Sequence, residues 1–363
     1  VDVDGENHRP LVSGAGNFSS PRWSPSGDRL AYLSNTEGKT QLFVQWFDGG
    51  ETAKVTSLPQ SPQSIVWSPD GEHIAFTRFI PATPPTLADM PAKPKGAKWA
   101  EPATVVDRMT FRFDGGGYLP TGNQQVFVVP ADGGTPLQMT SGNYPINGSV
   151  SWMADSQSIV FSSNRREDVE YHPRQNDLYT ASMATAELTQ LTDQAGPEGN
   201  PAVSPNGRYL AYTSAADTRQ GYNRADLRVM DLTSGESHSL TADLDRSVSD
   251  IQWSADSKSV WIRYNDLGMA RIAEVDLKGN LNQADIVLGG TALGRPYTSG
   301  TFSVGGEDRI AYTLGRDDRP ADLALMRAGK QLLQLTDLNS DLMGQRDMSR
   351  VERMVWPSYH DGL

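Results

Sequence analysis

Ile65-Val66-Trp67-Ser68-Pro69-Asp70-Gly71-Glu72-His73-Ile74-Ala75-Phe76 is the stretch that decides the fold. A short apolar segment ends in Trp, and a four-residue turn follows. In that turn Pro fixes φ, Asp bonds back to the backbone and Gly takes a positive φ. The next strand sets a small residue between two large ones, which suits a sheet stacked closely on another.

Five other stretches carry the pattern: Pro21 to Tyr32, Val150 to Phe161, Pro201 to Tyr212, Ile251 to Ile262, and the half-copy Arg309-Ile310-Ala311-Tyr312. Aligning Trp23, Trp67, Trp152, Val203, Trp253 and Phe302 gives spacings of 44, 85, 51, 50 and 49, the 85 being one repeat plus an insertion. A third strand follows in each unit, as in Leu42-Phe43-Val44 and Leu178-Tyr179. Then comes a hairpin turn such as Asp132-Gly133-Gly134, and an outer strand closing on a Leu-Thr-like step (Lys54-Val55-Thr56, Leu240-Thr241, Leu335-Thr336). Four short strands in a repeat of this period mark a propeller blade. The expected fold is therefore all-β, a β-propeller of four-stranded blades, with the tryptophans as blade core. Residues 1–12 read as the last strands of one more blade, which predicts a seven-bladed parent with its first blade incomplete.

The propeller is expected over 1–338. Residues 79–123 are an insertion within the second blade-repeat. Pro81, Pro84, Pro85, Pro91, Pro94 and Pro102 make its first half extended. Val105 to Phe113 alternates as a strand or hairpin arm, and Asp114-Gly115-Gly116-Gly117-Tyr118 turns. A lid or partner contact and a plain surface excursion both fit such a loop. Residues 339–363 read as a linker with one strand, Arg350 to Trp356.

The composition excludes several functions. The chain has 32 basic and 44 acidic residues, net −12, a surface that repels phosphate backbones, so no nucleic-acid partner is expected. No stretch approaches eighteen apolar residues, so no membrane span is expected. Cys is absent, which removes disulfides and thiolate-held metals. There is no H-E-x-x-H, no P-loop and no G-x-S-x-G. Asp2-Val3-Asp4-Gly5 lacks the later Glu of a calcium loop and reads as a turn. No cofactor, metal site or catalytic residue is expected in this chain.

The W-S-P-D-G repeats, Phe111-Arg112-Phe113-Asp114-Gly115-Gly116-Gly117-Tyr118, Asn164-Arg165-Arg166-Glu167-Asp168 with Asn176-Asp177-Leu178-Tyr179, and the terminal Ser358-Tyr359-His360-Asp361-Gly362-Leu363 together carry a resemblance. The chain resembles the N-terminal propeller of the prolyl oligopeptidase family of serine peptidases, in its acylaminoacyl-peptidase and dipeptidyl-peptidase-like branch. The resemblance implies an α/β-hydrolase domain further along the same polypeptide, holding a Ser-Asp-His triad. The propeller would then limit access to short peptides. Family members occur in the cytoplasm and the periplasm, and the sequence does not choose between them.

Arg112, Arg165, Arg166 and Glu167 are the substrate-gating candidates. A guanidinium pairs bidentately with a carboxylate, and a carboxylate can receive an α-amine. A solvated rim of charges is the competing reading of the same four residues. The alternative function is a TolB-like propeller that binds protein partners, since those propellers share the repeat; the insertion and the Asp361-Gly362 exit argue against it.

Overall fold

The computed structural model describes the chain except Asp89, Met90, Glu101, Pro102, Arg219, Gly221, residues 291–298, Asp317, Ala328, Arg350, Arg353 and Leu363, and the side chain of Asp308. Of the residues named above, Pro102, Arg350, Arg353 and Leu363 thus lie outside the described residues. Among the described residues the chain is an all-β propeller of six four-stranded blades. Blade two comprises Pro62–Trp67, His73–Pro81, Gly122–Pro130 and Leu137–Gln138. Blade three comprises Ile146–Trp152, Ser158–Ser163, Asp177–Ser182 and Leu188–Gln190. The only α-helix among the described residues is Ser340–Met343, and no helix is long and apolar enough to cross a membrane.

By contact the chain divides into two compact units, each taken by itself below. One is Gly14–Val203 with Ser214–Gly221 and holds blades one to three; the other is Val1–Ser13, Ser204–Thr213 and Tyr222–Leu363 and holds blades five and six. The strands of the fourth blade are shared between them.

The repeat motif builds the turn between the first and second strands. In blade two, Ser68 N donates to His73 O and Gly71 N to Ser68 O, both at 2.9 Å. Ser68 Oγ accepts His73 N at 2.9 Å and itself donates to Asp70. Gly27, Gly71 and Gly207 hold φ of 75°, 72° and 72°. Where the motif decays, Ser156 and Ser257 keep the left-handed conformation at φ 60° without glycine's freedom. Each of these serines makes an added bond to the neighbouring blade's turn: Ser156 Oγ accepts Asp70 N at 3.1 Å, and Ser257 Oγ accepts Asn206 N at 3.0 Å.

The Leu-Thr step is a clasp. Thr56 Oγ1 accepts Leu42 N at 3.0 Å and donates to Gln41 Oε1 at 2.9 Å. Thr140 does the same with Val126 N and Gln125 Oε1, and Thr336 with Leu323 N and Asp322 Oδ1. Thr192 and Thr241 accept the amides of Leu178 and Leu227. One buried hydroxyl thus satisfies the start of the third strand, where the ladder would otherwise leave a donor unpaired.

The core lies between blades. One cluster joins Leu33, Leu42 and Val44 of blade one to Ile74, Phe76 and Phe127 of blade two; another joins blades two and three through Val126, Val128, Trp152 and Phe161; a third joins blades five and six through Ile272, Ile310 and Tyr312. A blade's apolar face is therefore buried only by its neighbour. Ala31 and Ala75 are fully buried, as the small-residue position requires. Trp67 Nε1 donates to Arg22 O at 2.9 Å and Trp152 Nε1 to Val66 O at 3.2 Å, each reaching the first strand of the preceding blade.

Three expectations are corrected. Trp23 is not core but 53% exposed, its ring resting on Phe47 at 4.9 Å, because among the described residues no first strand lies where Arg22 and Val66 serve Trp67 and Trp152. Residues 1–12 form no strand of a seventh blade. Asp2 to Gly5 make a turn, with Gly5 N donating to Asp2 O, and Gly5 packs near Leu335. The described residues of 350–356 are not a strand either; Met354, Val355 and Trp356 are exposed and lack a neighbouring strand to pair with.

Candidate functional site

Antiparallel order puts the connection between second and third strands at the end of a blade opposite its Ser-Pro-Asp-Gly turn. These connections differ greatly in size: residues 35–40 in blade one, 82–121 in blade two, 164–176 in blade three and 267–268 in blade five. Blade four's connection is residues 215–225; the sequence-predicted candidates lie on the connections of blades two and three, which belong to the same compact unit.

The 82–121 excursion is an arm on a paired neck. His73–Pro81 and Gly122–Pro130 stay in register to Pro81 opposite Gly122, and Ala82 N donates to Thr121 O at 2.9 Å. Gly122 has φ 135°, and a Cβ there would lie 2.2 Å from Ile80 O. At the far end Arg112 pairs with Tyr118 and Phe113 with Gly117 around a tight turn, in which Gly116 N donates to Phe113 O at 3.1 Å. This hairpin is shorter than the Val105 to Phe113 arm the sequence suggests. Arg108 Nη2 holds the arm together by donating to Leu119 O and Pro120 O at 2.8 and 3.0 Å. A cleft of about 1040 Å³ opens in the arm between Leu87, Trp99, Val105, Phe111, Tyr118 and Leu119.

Among the described residues the 164–176 loop meets the arm through a bond in which Met109 N donates to Glu170 Oε2 at 2.6 Å. Inside the loop, Asn164 is fully buried and donates to His172 O at 2.7 Å. Arg174 Nη2 reaches Gln220 O at 3.4 Å.

The four candidates fall into two kinds. The side chains of Arg112 and Glu167 are exposed and have no hydrogen-bond or ion-pair partner among the described residues. Arg165 lies over the Tyr144 ring at 4.4 Å and 5.9 Å from the Tyr179 centroid, with Nη1 buried and without an acceptor among the described residues. Arg166 is held bidentately by Asp168, at 2.7 and 3.2 Å. That bond keeps the Asp168 carboxyl below the usual range and raises the Arg166 guanidinium, while His172 Nε2 stands 3.5 Å from the same carboxylate. Arg165, Arg166 and Glu167 share one loop; Arg112 is on the arm that this loop touches.

Asp177 lies in the Asn176-Asp177-Leu178-Tyr179 motif quoted above, where motif reading gives it no role of its own. It holds the position where Gln41, Gln125 and Asp322 receive the clasp threonine, but here the carboxylate gets only Gln190 Nε2 at 3.3 Å, and Oδ1 is buried without a donor. Burial, then the negative charge of Asp193, push its carboxyl up to about 6, against a smaller pull from Arg166. Its sequence neighbours look like any other third strand, so only burial reveals it.

Comparison with known proteins agrees with this architecture. A family model described as the dipeptidyl peptidase IV N-terminal region matches residues 98–219, which covers most of the arm's second half and the third blade. Dipeptidyl-peptidase 5 of Porphyromonas gingivalis is 25% identical over 303 residues, 78% of this chain and 42% of that protein. The uncharacterized peptidase YuxL of Bacillus subtilis is 26% identical over 372 residues, 98% of this chain and 54% of that protein. In fold, the chain is similar to the acylaminoacyl peptidase of Pyrococcus horikoshii, with a TM-score of 0.67 at 18% identity, covering 91% of this chain and 46% of that one. The chain spans about half the length of the curated relatives it matches.

The fold and its loops define a repeat-built β-propeller with one end elaborated. These likenesses support an N-terminal propeller domain of the kind found in prolyl oligopeptidase-family peptidases.

Proposed function

We propose that this chain is the non-catalytic propeller of a serine peptidase, seated on an α/β-hydrolase domain of the same polypeptide and restricting its active site to short peptides. The observation that carries the reading is the lopsided growth of one blade end, where the 82–121 arm and the 164–176 loop meet at Glu170. An obstruction of that kind sorts substrates by size without touching the chemistry. Arg112 and Glu167, both exposed and unpaired among the described residues, would meet a substrate's carboxylate or carbonyl and its amine. Arg165 and Arg166, already engaged by rings and by Asp168, would set the loop's shape.

The test uses the full polypeptide and compares hydrolysis of a dipeptidyl p-nitroanilide with that of a thirty-residue peptide. Replacing residues 84–119 by a short Gly-Ser turn is expected to raise the rate on the long peptide relative to the short one by about tenfold. An unchanged ratio would refute the gating role, and a polypeptide that is inert and unlabelled by a fluorophosphonate would refute the peptidase assignment.

A further inference from the structure

The cleft in the arm adjoins a second cavity of about 410 Å³ at the neck. The two share Thr83, Pro85, Asp107 and Thr121, and Asp107 is the one charge on that common border. Their walls differ. The outer cleft is bounded by Trp99, Phe111 and Tyr118, which are 41%, 37% and 63% exposed, so aromatic surface borders a concavity and not a core. The neck cavity is bounded by the side-chain amides of Asn123, Gln138 and Asn143. Asn123 Nδ2 donates to Asn143 Oδ1 at 2.8 Å, which leaves the Asn123 carbonyl oxygen and the Asn143 amide group without a partner among the described residues.

The side chain of Asp107 is exposed and has no hydrogen-bond or ion-pair partner among the described residues. Arg108 also lines the outer cleft, but it is spent on the carbonyls of Leu119 and Pro120. An unpaired carboxylate among aromatic rings favours a cation, because the carboxylate accepts charge-assisted hydrogen bonds and ring faces attract positive charge. The net charge of −12 acts in the same direction at longer range. Since Asp107 borders both cavities, a chain that brings its cation there has room to continue past it, with apolar groups on one side and hydrogen-bonding groups on the other. A cation at a chain end would fill one side alone.

We propose that the two cavities form a recognition site for an internal stretch of peptide in which a Lys or Arg stands beside an aromatic residue. The ammonium or guanidinium meets Asp107, the aromatic side chain leaves water against Trp99, Phe111 and Tyr118, and the flanking backbone bonds to Asn123 and Asn143. The inference goes beyond the size-restricting role and does not rest on it: it concerns which segment the arm holds, not how long a substrate can be.

The experiment is calorimetric binding to the full polypeptide, after fluorophosphonate treatment to stop any turnover, with capped tripeptides as probes. Acetyl-Phe-Lys-Phe-amide is expected to bind about fivefold more tightly than its norleucine counterpart, which lacks the charge, and about tenfold more tightly than acetyl-Gly-Lys-Gly-amide. Asp107→Asn is expected to remove the preference for Lys over norleucine; Asp107 is exposed and unpaired among the described residues, so the exchange leaves the fold in place. Trp99→Ala is expected to reduce the preference for Phe over Gly. Equal binding of the Lys and norleucine probes, or a Lys preference that survives Asp107→Asn, overturns the assignment. So does an uncapped Phe-norleucine-Phe-amide that binds as tightly as the Lys probe, since the cation would then be a chain end. Because binding and not turnover is read, the result is independent of the length selectivity that tests the gating role.

Discussion

Ser156 Oγ accepts the amide hydrogen of Asp70 at 3.1 Å, tying the turn of the third blade to that of the second. Ser156 occupies a left-handed position, φ 60°, that Gly27, Gly71 and Gly207 take in blades one, two and four. Ser156→Ala keeps the strain and loses the bond, and is expected to lower unfolding free energy by about 1–2 kcal/mol. Ser156→Gly loses the bond but relieves the strain, and should cost less than Ala does. Urea denaturation of the two variants checks this; Gly below Ala would show that φ strain does not separate them, and an Ala variant as stable as the parent would show that the cross-blade bond is not what holds this turn.

The threonine clasp can be tested at Thr140, whose hydroxyl accepts Val126 N and donates to Gln125 Oε1. Thr140→Val fills the same volume and strands a buried N–H and a buried carbonyl oxygen. A loss of about 2–4 kcal/mol follows, with Thr140→Ser costing about half of that or less. Equal losses for Val and Ser would assign the effect to packing.

Asp177 should make stability depend on pH in the direction opposite to most carboxylates. Its folded value, about 6, lies above the ordinary 3.8, so the folded state binds the extra proton between those limits. The group's contribution is fully present below pH 4 and is lost as pH rises through 6. Asp177→Asn is therefore expected to stabilise the protein at pH 7.5, by on the order of 1–3 kcal/mol, and to have little effect at pH 4. Denaturant midpoints at the two pH values decide it, and a gain confined to pH 4 would reverse the sign argued here.

Glu170 anchors the arm through Met109 N. Glu170→Ala removes a charge-assisted acceptor from an exposed backbone donor. The melting temperature should barely move, whereas trypsin should cut several-fold faster after Lys95 or Lys98, which lie exposed on the arm. Unchanged cleavage would place the anchor elsewhere.

The sequence made the blades legible because each turn repeats its chemistry: Ser68, Asp70 and Gly71 do in blade two what Ser204, Asn206 and Gly207 do in blade four. What escaped reading lay in relations between segments. Trp23 is followed by Ser-Pro as Trp67 is, yet Trp67 Nε1 reaches the carbonyl of Arg22 and Trp23 has no such carbonyl among the described residues. The bulge in the first strand was also hidden. Ser20, Ser64 and Asp250 take φ near 50° at register shifts, and nothing in those residue types announces it. At the candidate site, Arg166 and Glu167 look equally available as letters, yet Asp168 claims the first and leaves the second. Asp177 and the arm cleft depend on burial and on contacts within the folded arm, which no spacing rule encodes.

Gly122 closes the neck of the arm with a hypothetical Cβ 2.2 Å from Ile80 O. Any side chain there would act as a wedge between the two rails on which the arm is mounted. The outer reaches of the arm are thus free to drift and to acquire new specificities, while the single joint that aims them is locked. Engineering of this protein should graft loops beyond that joint and leave the hinge pin alone.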